Sequence, residues 1–289
     1  MRQILILRGG ALGDFVVTLP ALAALRRQWP AAEINLVGNA SAAQLALDAG
    51  LLARVESQHA APWHLLYQSA VSPLLKAHLA RYDLVLNFWP DSDGAVARHF
   101  PASIGQRFLS AEPTPSRAPA SSHFSAALQP FALPTVPDWI ALRRPTPSLG
   151  LVVIHPGSGS SRKNWPLANW LKIARTLTQA ARQRVVFILG EAEASLDIPR
   201  DFPRWQNLPL RKLADRLSTC DLFLGHDSGV GHLAGACAAR GLILFGPTGP
   251  MIWAPPNPAF AVLRAKSGLP SLTVAEVQAR VTAMLEDQR

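Results

Sequence analysis

The chain has 289 residues, 49% of them hydrophobic and 16% charged, with a formal net charge of +9. That length and apolar content fit two ordinary domains and exclude a largely disordered chain. The basic excess forms no dense Lys/Arg block and accompanies no nucleic-acid motif, so it points to a small anionic ligand or an acidic membrane surface rather than a duplex, with an ordinary basic solvated surface as the alternative.

No apolar run reaches the roughly 18–20 residues that span a bilayer. The short apolar run at the N-terminus lacks the core and cleavage site of a signal peptide, so a cytoplasmic location is expected. Two cysteines, Cys220 and Cys237, suit a reducing compartment and are too few for an all-cysteine zinc site.

In chain order, QILIL (3–7) is a short apolar run and predicts a buried strand. GDFVVTLPALAALRRQW (13–29) has helical spacing, with Pro20 set to kink it. EINLVG (33–38) predicts a second strand, and ASAAQLALDAG (40–50) a helix that Gly50 ends. LARVES predicts a third strand, 63–81 a helical stretch interrupted by Pro73, and YDLVLNF (82–88) a fourth strand. AEPTPSRAPASS (111–122) reads as a loop or linker, and LRRPTPSLG (142–150) as a second break at the domain boundary.

A second alternating unit follows. LGLVVIHPG (149–157) predicts a strand and glycine loop, PLANWLKIARTLTQAA (166–181) a helix, and RVVFILGE (184–191) a strand. LRKLADRLS (210–218) predicts a helix, CDLFLGHDSG (220–229) a strand and loop, and VGHLAGACAARG (230–241) a small-residue helix ending at Gly241. LILFGPTGP (242–250) predicts another strand and loop, and VAEVQARVTAMLED (274–287) a terminal helix. Short apolar strands joined by helices mean parallel sheets, whose ligands bind beyond the C-terminal strand ends. The glycine-rich loops lie at such ends.

In RGGALGD (8–14), Gly10 and Gly13 match the last two glycines of a dinucleotide fingerprint, but Arg8 stands where the first is required. EINLVG also ends without the acid that would hold a ribose, which argues against a nicotinamide enzyme. Asp14 sits at the first turn of a helix, where a carboxylate is favoured either as a cap or as a general base. HPGSGSSRKNWP (155–166) is rich in donors, with Ser158, Arg162 and Lys163 suited to a diphosphate. Trp165 reads as a packing residue. GHDSGVGHLAG (225–235) sets Asp227, Ser228 and Gly229 before a helix start, as a cap or a phosphate seat. His226 and His232 flank Asp227, but their spacing does not make a metal site.

Together these segments resemble glycosyltransferase family 9, the heptosyltransferases. The resemblance rests on ILILRGGALGDFVVTLPAL, RHFPASIGQR (98–107), HPGSGSSRKNWP, GHDSGVGHLAGA and FGPTGP, in that order. It implies an α/β GT-B fold of two Rossmann-like doubly wound domains facing across a cleft. Residues 1–145 would bind the acceptor and 146–289 the nucleotide sugar, with the terminal helix near 273–287 packing back on the first domain.

The resemblance implies an inverting transfer of a heptose from ADP-heptose to a lipopolysaccharide-core or related glycan. No metal or other cofactor is obligatory in it. Asp14 would be the base and Lys163 would hold the diphosphate. Gly10, Gly13, Ser158, Arg162, Asp227, Ser228, Gly229, His232 and Thr248 would surround the ligands, and Glu191 or Glu193 would hold the ribose. The partners implied are an ADP-sugar donor and an anionic glycan or glycolipid acceptor, with peripheral contact at the inner face of the cytoplasmic membrane and no nucleic acid. Gly249 replaces an aspartate of the family's last loop, and NFWPDSDG replaces its Asp-x-Gln-Gly, so acceptor recognition should differ. Another nucleotide sugar, an epimerase, or a degenerate nucleotide-sugar-binding protein are the alternatives.

Overall fold

Strands that run apolar without alternation need both faces covered, and that requirement organises the chain. The computed structural model describes residues 1–100, 105–133, 136–265 and 267–287. It divides between Ile140 and Ala141 into two compact units.

In the first unit, β1 (Gln3–Arg8) is followed by helices α1 (Leu12–Val16) and α2 (Leu19–Gln28), then β2 (Glu33–Gly38), α3 (Ala40–Asp48) and β3 (Arg54–Ser57). Helix α4 (Pro73–Leu79), β4 (Leu84–Asn87), β5 (Arg107–Ser110) and α5 (Ala120–Ala126) complete it. The five strands are parallel in the order β3-β2-β1-β4-β5. Strand order reverses between β1 and β4, and in such sheets that switch point opens a crevice at the C-terminal strand ends.

The expected helix over 13–29 is two helices. Thr18 Oγ1 donates to the Phe15 carbonyl at the break, and Pro20 falls in the first turn of α2, where its missing N–H costs nothing. Pro73 likewise begins α4 rather than interrupting a longer helix; Ser72 caps it by accepting the Leu75 N–H. Gly50, with φ of +72°, follows α3 as expected. The 111–119 stretch is a loop, as expected, but an anchored one rather than a free linker, and α5 begins at Ala120. His123 is buried, its Nε2 lies 2.8 Å from the Glu112 carbonyl, and its Nδ1 accepts the Ser116 N–H. Residues 101–104 of the RHFPASIGQR segment lie outside the described residues.

In the second unit come β6 (Leu151–Ile154), α6 (Leu167–Gln179), β7 (Arg184–Leu189), β8 (Arg204–Gln206), α7 (Leu210–Leu217) and β9 (Leu222–His226). Then follow α8 (Gly229–Gly235), β10 (Gly241–Phe245), α9 (Pro250–Trp253), β11 (Phe260–Arg264) and α10 (Val274–Glu286). All six strands are parallel, ordered β11-β10-β9-β6-β7-β8. The switch point lies between β6 and β9, the strands that end in HPG and HDSG.

Helix α6 buries Trp170, Ile173, Ala174 and Leu177, a single face at helical spacing. They pack with Trp165, Phe187 and Leu224, and with Val277, Val281 and Met284 of α10, so the terminal helix lays one face on this unit's core. Small residues do not carry α8 to Gly241. It stops at Gly235, whose carbonyl accepts from Asn257 Nδ2 at 2.9 Å, and Gly241 opens β10. The 142–150 break is tied to the second unit, with the Leu142, Thr146 and Ser148 N–H groups donating to the carbonyls of Ala236, Ser218 and Thr219. No helix among the described residues is long and apolar enough to cross a membrane.

Candidate functional site

Each unit places polar loops at its switch point. In the first, the chain leaves β1 through Gly9 and Gly10 and enters α1. Gly10 has φ of +89°, and a Cβ there would lie 2.7 Å from Asp14 Oδ2. Both the turn and the close approach therefore require glycine. Asp14 Oδ2 accepts the Ala11 N–H at 2.8 Å. Its Oδ1 lies 4.0 Å from Arg8 Nη2, and the side chain is 37% exposed. Capping thus occupies one oxygen, while the side chain as a whole stays partly exposed.

Arg8, a misfit in the dinucleotide reading, is the residue that organises this loop. Its guanidinium is buried. Nε and Nη2 donate to the Asp14 carbonyl at 3.1 and 2.6 Å, and Nη1 donates to the Pro113 carbonyl at 3.3 Å. Its Cζ sits 4.4 Å from the Phe124 ring centroid. Burial lowers its pKa to about 10, with the Asp14 charge opposing, so it stays a cation at neutral pH. Asn39 caps α3 and also donates to the Gly10 carbonyl at 2.9 Å. These contacts hold Asp14 at the wall of a cavity of about 540 Å³, together with Gln58, His59, Tyr67 and Trp89. Among the described residues lining it, Asp14 is the one carboxylate.

In the second unit, the loops after β6 and β9 meet. Asp227 is buried, and its Oδ2 accepts from Lys163 Nζ at 2.8 Å and Thr248 Oγ1 at 2.6 Å. Its Oδ1 lies 3.8 Å from His232 Nε2. Three motifs separated in sequence thus converge on one carboxylate. Ser228, rather than Asp227, caps α8 by accepting the Gly231 N–H at 3.1 Å; its Oγ is 3.4 Å from His155 Nδ1. Ser158 faces its own loop, donating to Asn164 Oδ1 or the Ser160 carbonyl. Arg162 is exposed on the turn beside Lys163.

The two candidate ribose acids part company. Glu191 is exposed. Glu193 is buried, accepts the Gly190 N–H at 2.9 Å and stands 3.6 Å from His155 Nε2. Burial pushes the Glu193 carboxyl up, but the hydrogen bond and charge of His155 and the Gly190 N–H outweigh it and leave it lowered. A Cβ on Gly157 would strike Glu193, so the HPG loop needs glycine to pass this carboxylate.

His226 is structural. It is fully buried, and Nε2 accepts the Trp165 backbone N–H at 2.8 Å and the Trp170 indole N–H at 3.3 Å. Those two donors assign the proton to Nδ1, which faces the Gly157 carbonyl at 3.2 Å. Trp165 packs against Trp170 and is buried, as its sequence context suggested. Among the described residues no group of three His, Cys, Asp or Glu side chains is placed to hold a metal ion. Reasoning from sequence missed the contacts of Arg8 and His155. Position 8 carried a signal, because a buried strand ending on arginine demands partners for five donors.

Comparison with known proteins places these features in context. The model of glycosyltransferase family 9 (heptosyltransferase) matches residues 113–277. Lipooligosaccharide heptosyltransferase 2 of Campylobacter jejuni subsp. jejuni serotype O:2 is 28% identical over 138 residues, which span 44% of this chain and 42% of that protein's length. A family 9 glycosyl transferase from Veillonella parvula superposes with a TM-score of 0.79 at 16% identity, over 99% of this chain and 97% of that one. The E. coli heptosyltransferase WaaC solved with ADP gives 0.74 at 17% identity, over 98% and 99%. E. coli ADP-heptose lps heptosyltransferase II gives 0.71 at 16% identity, over 100% and 99%. At such identities the structures speak for the fold, the α/β architecture with two parallel sheets found in GT-B glycosyltransferases.

Proposed function

The chain belongs to glycosyltransferase family 9, and on that premise we propose that it transfers a sugar from a nucleotide sugar to a glycan hydroxyl, with Asp14 as general base. The observation that carries this reading is the position of Asp14: a half-exposed carboxylate with one oxygen fixed by Ala11 N–H, at the wall of a cavity large enough for a sugar ring. The acceptor hydroxyl gives its proton to Asp14 as its oxygen bonds to the anomeric carbon. The bond from that carbon to the diphosphate oxygen breaks, and the electron pair leaves with the diphosphate. A single displacement of this kind inverts the anomeric centre. A positioned base contributes roughly 10²–10⁴-fold.

The donor side is assigned to the second unit. Lys163 has three donors, and Asp227 engages one. The remaining two, with exposed Arg162, suit the charge that builds on a leaving diphosphate. Asp227, itself engaged by Thr248 and faced by His232, positions this lysine; Ser158 belongs to the loop that carries Lys163, and Ser228 and Gly229 follow Asp227. Exposed Glu191 is proposed for the ribose hydroxyls, because Glu193 is committed to the HPG loop. Since WaaC was solved with ADP and the matching Campylobacter protein is named a lipooligosaccharide heptosyltransferase, the donor proposed is ADP-heptose and the acceptor a lipopolysaccharide-type glycan. The reaction would lie on the cytoplasmic side of the inner membrane.

Asp14→Asn tests the base. Release of ADP from ADP-heptose in the presence of acceptor should fall at least ~100-fold, while ADP affinity stays within a few-fold. Near-normal turnover in a folded variant would return Asp14 to the role of cap.

A further inference from the structure

The cavity beside Asp14 has a wall whose chemistry differs from that of the protein as a whole. The chain carries nine more cations than anions, yet the one Lys or Arg among the described lining residues is Arg8. That guanidinium is 3% exposed and bonded to the Asp14 and Pro113 carbonyls. It has no fork to offer a ligand carboxylate or phosphate. The accessible charge at the wall is negative, on Asp14.

The opposite feature of the wall is aromatic. Tyr67 is 51% exposed, but its ring is not loose. Its hydroxyl donates to the Pro90 carbonyl at 3.2 Å, and the buried Trp89 indole lies nearly parallel, 6.1 Å between centroids at 20°. The phenol is pushed up by burial and then by the carboxylates of Asp91 and Asp93, which marks acidic rather than basic surroundings. Gln58, His59 and His64 add polar groups around this platform. A rigid half-exposed ring with polar neighbours is the composition that binds a sugar, whose C–H face stacks while its hydroxyls find donors and acceptors.

Resting on the reading of Asp14 as the acceptor-side base, we propose that the acceptor's terminal residue is an uncharged pyranose stacked on the Tyr67–Trp89 platform, and not an anionic sugar. This departs from the anionic acceptor that the family resemblance implied. Tyr67 is the specificity-determining residue, and Trp89 holds its plane.

The test uses the full chain and two probes, methyl α-D-mannopyranoside and the corresponding uronate, which differ at C6 alone. Binding is titrated by ligand-observed NMR. The neutral mannoside should bind at least five-fold more tightly than the uronate. Tyr67→Ala should weaken it at least five-fold, Tyr67→Phe should hold it within two-fold, and the thermal shift given by ADP should be unchanged in both variants. Equal or tighter uronate binding, no effect of Tyr67→Ala, or no binding of either probe would each overturn the inference. Its failure is separable from that of the base. Intact mannoside selectivity with an active Asp14→Asn variant refutes the base and supports the platform, and lost selectivity with an inactive Asp14→Asn variant does the reverse.

Discussion

His226 makes the second unit's stability depend on pH, and the size of the effect follows from its surroundings. Burial lowers its pKa from 6.5 to about 3, although the Gly157 carbonyl and nearby carboxylates oppose the shift. Protonation at Nε2 would also direct an N–H at the donors of Trp165 and Trp170, which now share that lone pair. The folded form therefore holds the neutral ring, while the unfolded chain takes up a proton below about 6.5. Stability from this residue is complete above that value and is lost as pH falls toward 3. Between pH 7 and 5 the loss works out to about 2 kcal/mol. Urea denaturation followed by tryptophan fluorescence at pH 7, 6 and 5 measures it, with His226→Gln as the non-titrating reference. Wild type should lose about 2 kcal/mol more than the variant over that range. Parallel pH profiles, or an imidazole that titrates near 6.5 by NMR, would refute the reasoning.

Lys163→Ala should weaken ADP binding at least ~10-fold by calorimetry, since it removes a charge-assisted contact and leaves Asp227 buried beside Thr248 alone on that oxygen. Unchanged ADP affinity would remove the diphosphate assignment. Glu193→Ala should cost about 1–3 kcal/mol in denaturant unfolding, because the Gly190 N–H loses its acceptor and His155 its carboxylate. Glu191→Ala should leave stability unchanged and weaken ADP binding instead; the reverse pattern would exchange their roles. Gly249 occupies the N-cap of α9 in extended backbone, and a Cβ there meets open space. Gly249→Asp should then fold normally and gain a few tenths of a kcal/mol in unfolding free energy, whereas a loss of ~1 kcal/mol or more would show that the site is less open than it looks.

The strands most legible in the sequence are those rich in apolar residues, although the edge strand in LARVES was also found. QILIL, EINLVG, RVVFIL and LILF lie in the interior of a sheet or end in glycine loops, and their residues predict this without tertiary help. Strands β5, β8 and β11 escaped notice because they lie at sheet edges and are buried on at most one face; RFLS and RWQ carry no long apolar run. Helix α5 was hidden for a similar reason. ASSHFSA has weak local propensity and is held by Phe124 against Phe88 and Arg8.

For the candidate site, local order along the chain determined which residue types stand at the strand ends, and tertiary contact determined their arrangement. Glycines at strand ends, a carboxylate at a helix start and a basic turn are local patterns, and they sufficed to place Asp14 in the first turn after β1 and Lys163, Asp227 and Ser228 beyond the ends of strands in the second sheet. Three things are not local. Arg8 meets Pro113 across 105 residues, Lys163 meets Asp227 across 64, and Tyr67 lies on Trp89. Nothing in the spacing of Glu191 and Glu193 distinguishes them, whereas burial against Gly157 and His155 does. Hydrogen bonds and desolvation act over a few ångströms of space, so partners distant in sequence acquire their roles only when the sheets bring the loops together.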